Sequence, residues 1–166
     1  MKTLCLTWMT LVAGCGIASF DVTQELPEQT IAGSPNPLAQ LFPSLFALSL
    51  VIDLREETAA HDTGPAQSAY LSSLTLDITP HAMPSGSFDF LDSVHVSVSA
   101  PGLPTVEIAS VDPVPRGATT LSFTVVANVN LLPYINAGAT ITSSASGRQP
   151  MMDVRFDGVV VITIHV

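Results

Sequence analysis

The chain of 166 residues carries 5 lysines and arginines against 14 aspartates and glutamates, for a formal net charge of −9. So few cations argue against nucleic acid or anionic headgroups as partners, because phosphate binding needs clustered Lys and Arg. With 11% charged residues and 13 prolines, the composition suits strands with hydroxyl-bearing outer faces more than salt-bridged helices.

In chain order, the first element is Lys2 followed by an apolar run over residues 4–13, too short to span the roughly 30 Å hydrocarbon core as a helix. It ends in Val12-Ala13-Gly14-Cys15. A basic start, a short apolar region and a small-residue site make up a secretory signal. An ordinary cleaved signal or a fortuitous apolar N-terminus is the alternative; the cysteine after the small residues makes a second pattern more specific. The stretch resembles a bacterial lipoprotein signal. That resemblance implies cleavage before Cys15, diacylglycerol on its thiol, and attachment to the lipid bilayer through acyl chains such as palmitate. Two acyl chains give stable anchoring where one gives marginal binding. Gly16 in place of an aspartate points to the outer membrane more than the inner. Cys5 leaves with the signal, so the mature chain has no free thiol, which excludes a disulfide framework, a zinc–thiolate site and a cysteine nucleophile.

Residues 1–14 are thus read as signal peptide. Residues 15–45 are read as a lipidated N-terminus, with a possible strand around Phe20 and Val22 and then a tether broken by Pro27, Gly33, Pro35, Pro37 and Pro43. Such a spacer would let a domain stand off the membrane. Residues 46–166 form the domain. There the period is two: Phe46, Leu48, Leu50, Ile52 and Leu54; Leu74, Leu76 and Ile78; Val94, Val96 and Val98; Val106 and Ile108; Leu121, Phe123 and Val125; Ala139, Ile141 and Ser143. The run 159–166 is apolar on both faces until His165, as a strand central to a sheet can be. Turn signals separate the runs at 84–86, 101–102, 113–117, 147–150 and Asp157-Gly158. Short helical turns are expected at 38–42, 55–61 and 130–136.

Seven or eight short strands without a crossover helix predict an all-β fold. The expected architecture is a single antiparallel β-sandwich, immunoglobulin-like or of a related Greek-key type. The domain also resembles β-sandwich lipoproteins of the bacterial envelope, on Phe88-Asp89-Phe90-Leu91-Asp92-Ser93 before a valine strand and Asn130-Leu131-Leu132-Pro133-Tyr134-Ile135. That resemblance carries over no catalytic residues.

The candidate chemistry is sparse. His61, His81, His95 and His165 lack metal-ligand spacing and read as surface histidines. Asp89 and Asp92 are the leading pair for calcium, but calcium needs six to eight oxygens and Asp in loops often caps its own backbone. No Gly-x-Ser-x-Gly elbow or glycine-rich phosphate loop is present. Phe88, Phe90 and Tyr134 are candidates for a binding platform, weighed against the plugging of a sandwich core. The expectation is a non-enzymatic envelope lipoprotein without a cofactor, binding an envelope protein or a glycan. A calcium-dependent adhesion or carbohydrate-binding module and a hydrolase are the alternatives.

Overall fold

The computed structural model describes residues 19–34, 64–79 and 86–166, and the backbone of 47–49. Cys15, the signal peptide expected at 1–14, the helical turns expected at 38–42 and 55–61, most of the strand expected at 46–54, His61 and His81 lie outside the described residues. Those described form β1 (Ser19–Ile31), β2 (Ala47–Ser49), β3 (Ser68–Ile78), β4 (Leu91–Ala100), β5 (Leu103–Val111), β6 (Thr120–Ser122), β7 (Thr124–Val125), the helix α1 (Leu132–Asn136), β8 (Thr140–Gly147) and β9 (Val154–His165).

Alternation drives the assembly. On β4, Val94, Val96 and Val98 are fully buried while His95, Ser97 and Ser99 face outward. On β9 the inward set is Phe156, Val160, Ile162 and Ile164. Apolar faces of this kind must cover one another, and two antiparallel sheets result, with strand orders β1-β9-β3-β6 and β2-β8-β4-β5-β7. The expected sandwich is therefore present. Its connectivity is the Greek-key one: the chain changes sheet from β1 to β2, β2 to β3, β3 to β4, β5 to β6, β6 to β7 and β8 to β9. Orders 1-9-3-6 and 2-8-4-5 facing each other are those of a jelly roll, two Greek keys wound together.

Several details depart from the sequence reading. Strand β1 is a 13-residue edge strand paired along β9, from Ser19 opposite His165 to Ile31 opposite Val154. Residues 19–31 thus belong to the sandwich and not to a tether. Asp157-Gly158 is no turn but mid-strand in β9, between Leu26 and Leu76. A Cβ at Gly158 would lie 2.5 Å from the Thr75 carbonyl oxygen and 2.7 Å from Leu76 Cδ2. Close packing, not reversal of the chain, demands glycine there. The run Leu121, Phe123, Val125 is not one strand: β6 pairs with β3 in the first sheet and β7 with β5 in the second. Phe123 sits buried at the step between them, its N–H donating to the Leu74 carbonyl at 3.0 Å.

The two ends of the sandwich are distinct. At the near end, Ser19, His165 and Ser68 lie side by side. There α1 is tied down by Leu131 N–H to Ala69 O (2.7 Å) and by Tyr134 Oη to Pro104 O (3.0 Å). At the far end lie 32–34, 86–90, 112–119 and 148–153, linked by Phe88 N–H to Ala118 O, Val114 N–H to Asp92 O and Ser34 N–H to Pro150 O, each 2.8 Å.

Candidate functional site

Phe88 and Phe90 belong to the far end and Tyr134 to the near end, so the structure does not bring the three aromatic candidates together. Phe88 is fully buried. Its ring meets Phe156 edge-on and lies tilted against Phe90, both at 6.3 Å between centroids. Phe90 is half-buried against the same core. Tyr134 is buried with its hydroxyl donating to Pro104 O. These rings close the two ends of the core, with the tyrosine's polar atom satisfied as burial requires.

Asp89 is exposed but engaged. Its carboxylate accepts from Gly117 N–H at 2.5 Å and from Ser87 Oγ at 2.8 Å, and its carbonyl accepts from Arg116 at 3.0 Å. The Gly117 N–H first, then the Ser87 hydroxyl and the nearby Arg116 guanidinium, hold its carboxyl below the usual carboxylate range. Gly117 has φ +71°, a conformation that suits glycine. Asp89 thus clamps the β5–β6 connection onto the segment leading into β4. Asp92 is exposed, one residue into β4, and it is its backbone carbonyl that holds Val114. Among the described residues, no three His, Cys, Asp or Glu side chains converge as a metal group.

His95 lies on the outer face of the second sheet, as alternation requires. Its Nδ1 is 3.0 Å from Glu107 Oε2, with both side chains well exposed. The pairing follows from a register shift: Ser97, not Val96, lies opposite Glu107. A regular ladder read from sequence does not reveal it. His165 packs edge-on against Tyr70 at 5.7 Å, at the opposite end of a different sheet. The outer faces carry the expected hydroxyls, which bond across strands: Ser93 with Ser146 at 2.7 Å, and Thr163 Oγ1 to Asp21 Oδ1 at 2.6 Å.

Sequence reasoning missed the most exposed feature of the far end. Met151 and Met152 are 79% and 54% exposed. The loop that carries them is held firmly: Ser34 N–H bonds Pro150 O, Gln149 Nε2 bonds Ala32 O, and Gly33 N–H donates to Asp153 Oδ1 at 2.8 Å. Gly33 lies so close that a Cβ would stand 2.3 Å from the Met152 carbonyl carbon. Arg116, Arg148 and Arg155 belong to this end too, Arg155 facing Glu28 at 3.7 Å. Only the turn signal at 147–150 hinted at this loop.

Comparison with protein families and with curated proteins finds no match. Among solved structures, the decameric capsid protein of BFDV is 8% identical, with 90% of this chain and 99% of that one covered and a TM-score of 0.39. A 60-mer form of the same capsid protein gives 10% identity, 90% and 94% coverage and a TM-score of 0.39. Tomato aspermy virus gives 11% identity, 89% and 79% coverage and a TM-score of 0.32. Likeness at this level decides nothing about the function of this chain.

Proposed function

We propose that this is a lipid-anchored protein of the bacterial envelope, held in the outer membrane through acyl chains on Cys15, with a non-enzymatic binding or structural role. The observation that supports it is the placement of Val12-Ala13-Gly14-Cys15 directly ahead of the first strand of a sandwich filled with packed side chains. Jelly rolls serve capsids, lectins and cupins alike, so the fold does not choose the role. The partner is an envelope protein or a glycan, met by the far-end loops, because rigid sandwiches carry function on their loops. The calcium-dependent reading has less support, since Asp89 already spends its carboxylate on Gly117 and Ser87.

The test is the intact mass of the membrane-fraction protein beside a Cys15→Ser control. The expected result is a chain starting at residue 15 with added diacyl mass. In the control, both the lipid and the membrane association are lost. A soluble wild-type species without lipid overturns the proposal.

A further inference from the structure

We infer that the sandwich stands end-on against the bilayer, near end down, on a leash of three residues. This rests on acylation at Cys15. Only Gly16, Ile17 and Ala18 separate that cysteine from Ser19, which is already in register with His165. Four residue steps reach at most about 14 Å even when fully extended. The near end is therefore held at the headgroups whatever else the protein does.

The described surface at that end suits such a position. Residues 64–67, 100–106 and 126–140 contain no Asp, Glu, Lys or Arg. Leu103, Val129 and Leu132 are half-buried, and Pro101, Pro104 and Pro133 are exposed. Bringing these described residues to an interface strips no charged group of water, which is the costly step. The far end is the opposite: Asp89, Asp92, Asp112, Arg116, Arg148 and Asp153 all belong to it. The segment 50–63, outside the described residues, follows Ser49, which lies opposite Thr140, and holds Asp53, Glu56, Glu57 and Asp62 with Arg55. Zwitterionic lipid therefore gives the fairest test, free of headgroup repulsion. With 13 residues in β1 at about 3.3 Å each, the far-end loops stand roughly 40 Å above the near end.

The experiment uses the acylated full-length product reconstituted into phosphatidylcholine vesicles containing a headgroup-quencher lipid. Two single-cysteine variants, N136C at the near end and M151C at the far end, are labelled with the same fluorophore; acylated Cys15 offers no competing thiol. Quenching several-fold stronger at 136 than at 151 is expected. Inserting twenty Gly/Ser residues between Ala18 and Ser19, a coil of about 25 Å, should bring the two to the same level. Equal quenching on the native leash, or no response to the insertion, overturns the orientation while leaving the anchor intact. Absence of acyl mass in the same preparation overturns the anchor and the orientation together.

Discussion

Replacing Phe88 by alanine separates a core plug from a ligand platform. The ring is fully buried and packs on Phe90 and Phe156. The Phe88 N–H is held by Ala118 O and its carbonyl accepts from Leu91 N–H, so the backbone cannot collapse far into the space left behind. A Phe→Ala change at such a site costs about 3–5 kcal/mol. For a chain of this size each kcal/mol moves Tm by about 2–4 °C, so a fall of roughly 6–20 °C is expected. Phe88→Leu keeps most of the volume and should cost about 1.5 kcal/mol or less. Urea and thermal unfolding of the Cys15→Ser chain, with and without each substitution, measures both. A Phe88→Ala loss below about 1 kcal/mol would refute the packing argument and return Phe88 to the binding candidates.

Asp89→Asn tests the clamp by its pH dependence. Because the folded carboxyl sits below its ordinary value, its contribution is complete above about pH 4 and is lost as pH falls through the folded value. The Tm of the parent should therefore drop more steeply than that of the variant between pH 5 and pH 2.5; parallel curves would remove Asp89 from the account of acid sensitivity. Gly147→Ala should destabilise by about 1–3 kcal/mol or more, since φ is +146° and the new Cβ would lie 2.2 Å from Phe90 O and 2.8 Å from Leu91 Cα. Denaturant midpoints measure it, and an unchanged midpoint contradicts the close approach of β8 to the start of β4.

The sandwich was legible where alternation ran unbroken. Val94, Val96 and Val98 announce β4, and the two-sided apolar run of β9 matches a strand flanked by β1 and β3. Bulges hid the rest. The shift between Leu71 and Ser73 changes which residues of β3 face inward, so the pattern from Leu74 onward conceals the strand's start at Ser68. The shift near Glu107 buries Ile108 and Ala109 in succession. A change of sheet within 120–125 leaves no mark on a period-two pattern, because Leu121, Phe123 and Val125 keep alternating while their partners change. Gly158 misled for a chemical reason: glycine beside aspartate signals a turn, and the same residue also serves where two chains come too close for a Cβ. For the far-end residues the sequence leaves two roles open each, platform or core plug for Phe88 and calcium ligand or backbone cap for Asp89. Sequence shows that Phe88 and Asp89 are adjacent; only the fold shows one pointing into the core and the other capping Gly117.

The pairing of β1 with β9 has a consequence for how the molecule is made. Ser19 finds its partner at His165, and β9 also fills the place between β1 and β3. The first sheet has no middle until the last of these strands has been synthesised. Contacts this distant in sequence carry a large loop-closure entropy and make folding slow. During synthesis β1 and β3 are therefore two unjoined segments, and the first sheet stays open until β9 arrives. In a jelly roll closed by β9, compaction of the first sheet waits until that strand has been made.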